Sequence, residues 1–193
     1  MIIIKESRLY KIIRPIVKLF TKVFLRPKYV GLENIKNNGR IILAGNHTNI
    51  LDCLLVMSST KRHVHFLAKD ELWKGPKKLI FDNLGLIPVN RRQKDHNALK
   101  KAEKYLDNDL VVGIFPEGTV SKAGDLLPFK IGCVKMAKDT NSSIIPFVIT
   151  GKYKLFSQDL KITFGKQLKI KNDNLEEENI KLRDEILKMI GMS

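Results

Sequence analysis

The segment from Asn46 to Asp52 has the residue types and the spacing for proton transfer. It reads Asn-His-Thr-Asn-Ile-Leu-Asp and stands where a predicted strand ends and a predicted helix begins. A continuous helix would place His47 and Asp52 about 140° apart, so they meet only if His47 lies in the turn and Asp52 in the first helical turn. Asp52 then accepts the Nδ1 proton and leaves Nε2 of His47 as an oriented general base. The alternative is a helix-capping cluster beside an incidental histidine.

A protein nucleophile does not accompany this pair. The chain has no Gly-x-Ser-x-Gly motif, and neither Cys53 nor Cys133 follows a strand in a nucleophile-like context. The hydroxyl that His47 deprotonates would therefore belong to a substrate, and the transfer would be direct, without a covalent enzyme intermediate. We expect both cysteines to be reduced and buried.

Three further segments place polar groups or a proline beside predicted strands. In Phe115–Thr119, Gly118 permits a tight turn whose N–H groups face a ligand, and Glu117 and Thr119 add a carboxylate and a hydroxyl. Its alternative is a bare turn. The strand that begins at Gly85 ends in Arg91 and Arg92, a pair suited to a phosphate or, alternatively, a solvated sheet edge. Pro146 interrupts another predicted strand and predicts an irregular edge near the site.

An α/β scaffold has to position these segments. From residue 28 onward, short apolar runs alternate with helical stretches, and strands rich in Ile, Val and Leu predict a sheet covered on both faces. We therefore expect one domain over residues 28–193, with a mixed central sheet flanked by helices. The predicted strands span 40–44, 64–68, 86–89, 110–115, 144–149 and 161–164, and the predicted helices span 50–59, 76–83, 94–106, 130–140 and 175–190.

Residues 1–26 form a separate compositional unit with seven basic residues and one acid. Apolar residues recur there at intervals of three and four, which predicts an amphipathic helix that Pro15 kinks or divides. One interpretation is a helix lying in a membrane interface, and the other is a helix packed on the core. We expect neither a signal peptide nor a membrane-spanning segment.

The excess of basic residues favours an anionic partner. The chain has 35 Lys and Arg against 20 Asp and Glu, a net charge of +15. Nucleic acid, an anionic membrane and a phosphorylated substrate would each satisfy it. Aromatic residues make up only 7% of the chain, and the basic N-terminal segment carries an apolar stripe, so nucleic acid fits less well.

In their order along the chain, the polar segments resemble the motifs of the glycerolipid acyltransferase family, the 1-acylglycerol-3-phosphate O-acyltransferases. Asn46–Asp52 matches the family's H-x4-D motif, and Phe115–Thr119 matches its third motif at every position. Gly85–Arg91 resembles the second motif and Ile145–Phe147 the fourth. The resemblance extends over roughly residues 28–165, and its specificity lies in the combination of motifs.

The resemblance implies transfer of an acyl group from acyl-CoA or acyl carrier protein to the free hydroxyl of 1-acyl-glycerol-3-phosphate, giving phosphatidate for phospholipid biosynthesis. It implies that His47 is the general base and Asp52 its partner. Arg91 would hold the acceptor phosphate, helped by Lys69 or Arg92. The remaining residues of the acceptor and oxyanion region would be Glu117, Gly118 and Thr119. No metal or other cofactor is expected beyond the thioester co-substrate.

The expected partners are an anionic membrane surface, a CoA or acyl carrier protein thioester and a lysophospholipid, with no nucleic acid. The expected location is peripheral, on the cytoplasmic face of the cell membrane. An acyltransferase for another lipid acceptor is the nearer alternative, and a basic nucleic-acid-binding protein is the more distant one.

Overall fold

The computed structural model describes residues 7–90, 95–121 and 125–192. Strands and helices alternate along these ranges, so the fold is α/β, as predicted. The strands are β1 (Lys28–Val30), β2 (Ile41–Gly45), β3 (Val64–Lys69), β4 (Ile87–Val89), β5 (Val111–Ile114), β6 (Ser143–Thr150), β7 (Lys161–Phe164) and β8 (Leu168–Lys169). The α-helices are α1 (Arg8–Phe20), α2 (Asp52–Ser59), α3 (Lys77–Asn83), α4 (His96–Asp107), α5 (Gly132–Asp139) and α6 (Leu175–Gly191), with a π-helix at Thr21–Leu25 and 3₁₀-helices at Leu32–Asn34 and Asp70–Trp73.

The sheet formed by the described residues has the strand order β1-β7-β6-β2-β5-β3-β4, and β8 pairs with β6. Its pairs are parallel except those of β6 with β7 and β8. Leu43 of β2 lies between Gly113 of β5 and Ile145 of β6. Because these three neighbouring strands are parallel, their carboxyl ends meet at one edge, where an open α/β sheet binds ligands.

Both faces of the sheet are covered, as its apolar strands predict. Every residue of β2 is buried. On one face, Ile42 packs with Leu106, Met136 and Ile186 from three helices. On the other face, Leu43 belongs to a second cluster that includes side chains of α2 and the π-helix. Burial of a large apolar side chain contributes about 1.5–3 kcal/mol, so these two layers fix the strand ends that carry the site.

The prediction of an irregular edge at Pro146 is wrong. Strand β6 runs through this residue, which lies in register with Ala44 in the middle of the sheet. The carbonyl of Pro146 accepts from the N–H of Gly165, in the segment between β7 and β8. The proline nitrogen faces the same side, where the antiparallel ladder is interrupted, so its missing N–H costs no ladder bond.

Helix α1 is attached to the core along one face, as the second interpretation of the N-terminal segment predicts. It continues through Pro15 rather than dividing there. Its buried Tyr10 accepts from the N–H of Val64, and Arg14 donates to the carbonyl of Thr60, so one face is attached to the core. The opposite face exposes apolar side chains by more than 60% each: Ile12, Ile16 and Leu19. Among the helices of the described ranges, none is long and apolar enough to cross a membrane.

Candidate active site

His47 and Asp52 meet at the joint between β2 and α2. His47 lies in the turn two residues after β2, and Asp52 is the first residue of α2. The Nδ1 of His47 is 2.8 Å from Oδ2 of Asp52. Phe115 stacks on the imidazole at 4.0 Å between centroids and fixes the plane of the ring. With Nδ1 engaged by the carboxylate, Nε2 is the nitrogen left to accept a substrate proton.

The Asp52 side chain is fully buried, and hydrogen bonds surround its carboxylate. Oδ2 also accepts from the N–H groups of Thr48 at 2.6 Å and Asn49 at 2.9 Å. Oδ1 accepts from the hydroxyl groups of Thr48 and Tyr153. A buried carboxylate needs such donors to remain charged, so this turn holds an anion ready to pair with an imidazolium.

The sequence does not predict Tyr153 as a site residue. It lies three residues after the end of β6, which is the strand beside β2, and its hydroxyl donates to Asp52. Burial and the neighbouring charge of Asp52 raise the pKa of this hydroxyl, so it stays protonated as a donor. The sequence places Tyr153 soon after a predicted strand, where site residues are common. Only the strand order shows that this strand lies beside β2 and brings Tyr153 to Asp52.

Asn46 attaches the start of the turn to β6. Its side-chain nitrogen donates to the carbonyl of Ile149 at 2.9 Å, and its oxygen accepts from the N–H of Ile149 at 2.8 Å. The amide thus reproduces a backbone pairing one residue beyond the end of β2. This contact fixes the direction in which the chain enters His47.

Glu117 supports the main chain of His47. One carboxylate oxygen accepts from the N–H of His47 at 2.7 Å, and the other accepts from the N–H of Leu127 at 2.9 Å. Burial raises the pKa of Glu117, and these two N–H groups oppose that shift. Ser121 N–H donates in turn to the carbonyl of His47. Glu117 is therefore placed to position the turn, and it is absent from the described lining of a large cavity that opens beside His47.

Gly118 takes a left-handed conformation with φ +72°, as expected for a tight turn. Its N–H donates to the carbonyl of Phe115 and closes that turn. The N–H of Gly118 is thus occupied, and an oxyanion would need other donors. Both Gly118 and Thr119 line the large cavity. A Cβ on Gly118 would lie 3.0 Å from the end of the Lys130 side chain.

A cavity of about 1380 Å³ opens beside His47. Typical small-molecule sites have volumes of roughly 300–1,000 Å³, so this cavity has room for a long apolar chain together with a polar group. Its walls are mainly apolar and include Leu54, Met57, Phe66, Phe81, Leu86 and Leu99.

The predicted phosphate cations are only partly placed. Lys69 ends β3, lines the cavity and pairs with Glu71 at 3.3 Å. Arg91 and Arg92 lie outside the described residues. Lys130, which the sequence does not predict as a site residue, is exposed and also lines the cavity.

His63, His65 and Cys133 do not line the cavity beside His47, whereas Cys53, which follows Asp52 directly, does. His63 and His65 stack at 4.0 Å, and Nε2 of His63 and Nδ1 of His65 donate to the backbone carbonyls of Leu84 and Gly85. Cys133 is buried as predicted, whereas Cys53 is only half-buried and lines the cavity. Across the described ranges, no three His, Cys, Asp or Glu side chains gather where they would hold a metal ion.

An oriented imidazole beside a large apolar cavity is the arrangement of an enzyme that acts on the hydroxyl of an apolar substrate. The family model described as Acyltransferase matches residues 26–150. The chain belongs to this acyltransferase family, which includes the 1-acyl-sn-glycerol-3-phosphate acyltransferases.

Individual relatives agree with this assignment. A 1-acyl-sn-glycerol-3-phosphate acyltransferase of Borreliella burgdorferi is 32% identical over 83% of this chain and 70% of its own length. One from Cocos nucifera is 33% identical over 75% of this chain, which spans half the length of that relative. The crystal structure of the acyltransferase PlsC from Thermotoga maritima shares the fold, with a TM-score of 0.74, 22% identity, and coverage of 95% of this chain and 80% of that one.

Proposed function

We propose that the protein transfers an acyl group from a thioester donor to the free hydroxyl of 1-acyl-glycerol-3-phosphate, giving phosphatidate. The relatives from Borreliella burgdorferi and Cocos nucifera carry the name of this activity. The observation that carries the proposal is the 2.8 Å contact between His47 Nδ1 and Asp52 at the wall of the cavity. It leaves one ring nitrogen for the acceptor hydroxyl.

The reaction follows from this geometry. Nε2 of His47 takes the hydroxyl proton while the acceptor oxygen attacks the thioester carbonyl, and Asp52 stabilises the resulting imidazolium. The tetrahedral intermediate then collapses, the carbon–sulfur bond breaks, and the imidazolium returns the proton to the leaving thiolate. The products are an ester and a free thiol, and no bond to the protein forms. The thioester of CoA or acyl carrier protein is the only co-substrate in this scheme.

Cationic side chains would hold the acceptor phosphate. We assign this role to Arg91, with Lys69 and Arg92 as additional cations, because a guanidinium makes paired contacts with phosphate oxygens. Glu117 supports the turn from behind, while Gly118 and Thr119 border the acceptor region. Lys130 is a further cation at the same wall.

The proposed lipid substrates favour a location at a membrane. The exposed apolar side chains of α1 alternate with basic residues, and this pattern suits an anionic membrane surface. We propose a peripheral location at the cytoplasmic face of the cell membrane. Nucleic acid would leave those exposed apolar side chains without a partner.

Mass spectrometry of reaction products tests the proposal. The intact protein is offered 1-acyl-glycerol-3-phosphate, glycerol-3-phosphate and lysophosphatidylcholine, each with acyl-CoA and with acyl carrier protein thioester. We expect phosphatidate from the first acceptor, and at least about a hundredfold less of it from the His47→Ala variant. Acylation of a different acceptor alone would replace the proposed substrate, and no acylation of any lysolipid by either donor would contradict the function.

A further inference from the structure

The loop between β6 and β7 exposes two large apolar residues. Leu155 is 60% exposed and Phe156 is 55% exposed. Phe156 has a left-handed backbone with φ +60°, which is uncommon for a bulky residue and needs support from its surroundings. That support comes from its N–H, which donates to the carbonyl of Phe24 at 2.6 Å. The structure thus holds these two side chains outward.

The loop and the π-helix form one continuous apolar surface. The ring of Phe156 lies 5.6 Å from that of Phe24, which lies 5.2 Å from that of Phe20. The guanidinium of Arg26 lies over the ring of Phe156, 5.6 Å from its centroid. We call the surface of Phe20, Phe24, Leu155 and Phe156 the loop surface. It joins the last residue of α1 to a part of the chain more than 120 residues away in sequence.

Basic residues surround the loop surface. Lys152 and Lys154 flank the apolar tip, and both are exposed, as are Lys22 and Arg26 beside the π-helix. From Ser7 to Val30 the sequence has no acidic residue. An apolar centre flanked by these four cations matches an anionic bilayer, whose interface takes up apolar side chains while its headgroups attract Lys and Arg.

We propose that the loop surface docks on an anionic bilayer, with Leu155 and Phe156 entering the interface as a second anchor beside α1. The proposal deepens the proposed function, on which its choice of a lipid partner rests. Tyr153 of the same loop donates to Asp52. Docking of this loop therefore places the His47–Asp52 pair close to the lipid surface from which the acceptor comes.

Vesicle binding tests this docking without a measurement of acyl transfer. The full chain and a Leu155→Ser/Phe156→Asn variant are sedimented with phosphatidylcholine vesicles, with and without phosphatidylglycerol. Asn readily adopts a left-handed backbone, so the loop keeps its shape. We expect about tenfold weaker binding to the anionic vesicles, since each side chain would lose part of its transfer free energy. Ile180→Ser is the matched control, because Ile180 is also 60% exposed but lies on the acid-rich α6, and it should bind as wild type does.

A fluorescent reporter covers the case in which the double variant does not fold. Trp73 is the only tryptophan, so Leu155→Trp is made in a Trp73→Phe background. Its emission should shift to the blue with anionic vesicles and be quenched by brominated lipid, whereas Ile180→Trp should not respond. An unshifted Leu155→Trp, or wild-type binding by a folded double variant, would overturn the proposal. Because no acyl transfer is measured, absence of the enzyme activity would not produce either result.

Discussion

The polar side chain at the turn that carries His47 is buried and hydrogen-bonded, whereas the apolar side chains on the outer face of α1 are exposed. In the turn, the buried carboxylate of Asp52 accepts five hydrogen bonds, all from within the chain. On α1, Ile12, Ile16 and Leu19 are each more than 60% exposed, with only solvent around much of their surface. The first region has its partners within the chain, whereas the partner proposed for the second is a membrane. Substitutions in the turn should therefore lower kcat, and substitutions on α1 should weaken membrane binding.

The largest effect should follow His47→Ala, which removes the proposed general base. We expect kcat to fall by roughly 10²- to 10⁴-fold, the usual contribution of positioned proton transfer. Asp52→Asn should also lower kcat strongly, because an amide favours the wrong imidazole tautomer. Vesicle binding of both variants should equal that of wild type. A folded His47→Ala protein with more than about a tenth of wild-type turnover would remove the general-base assignment.

The next largest effect should come from Ile12→Ser/Ile16→Ser/Leu19→Ser on α1. Loss of part of the transfer free energy of three large side chains predicts about a hundredfold weaker binding to anionic vesicles. Turnover of a short-chain, water-soluble acceptor should change little, since the turn is untouched. Flotation with vesicles and a soluble-acceptor assay measure the two quantities. Unchanged vesicle binding, with a change in sedimentation coefficient, would identify a second protein copy as the partner instead.

A smaller effect should follow Tyr153→Phe, which removes one donor to Asp52 and preserves the ring. We expect kcat to fall by up to about tenfold with KM unchanged, which is less than the full value of a hydrogen bond to a charged group because four other hydrogen bonds to Asp52 remain. Tyr29→Phe is the control, because Tyr29 loses a similar contact with Ser58 but has no hydrogen bond to Asp52. Equal kcat for wild type and Tyr153→Phe would show that the remaining donors suffice.

The smallest effect concerns the pH dependence of stability. It tests whether burial of His65, outside the turn, lowers stability at acid pH. Burial, with smaller contributions from the charges of His63 and Lys101, lowers the pKa of His65 to about 3. Between pH 6.5 and 3 the unfolded chain therefore binds more protons here, and stability falls as the pH falls. Chemical denaturation should show a smaller loss between pH 7 and 4.5 for His65→Phe than for wild type. Removal of the exposed His96 by His96→Gln should leave that loss unchanged.

Elements with long apolar patterns were predictable from the sequence, and those formed by distant pairing were not. Strand β7 matches its predicted range of 161–164, and the other predicted strands and helices agree to within one or two residues at most boundaries. Strands β1 and β8 have only three and two residues. They form because β7 and β6 offer them partners, and no local pattern reports such a partner.

The same distinction holds within the site. His47 and Asp52 are five residues apart, so their contact follows from the position of one boundary between a strand and a helix. Tyr153 lies 101 residues from Asp52, and only the strand order brings it there. The orientation of Glu117 toward the main chain of His47 depends on packing that residue spacing does not contain.

The pairing of Asn46 with Ile149 bears on protein engineering. A seven-residue segment with the H-x4-D pattern looks portable, as a module that a designer would graft onto any strand followed by a helix. Asn46 needs an amide donor and an acceptor from one residue of an adjacent parallel strand. A host scaffold that lacks a strand in the place of β6 would receive the two proposed catalytic residues without the contact that orients them.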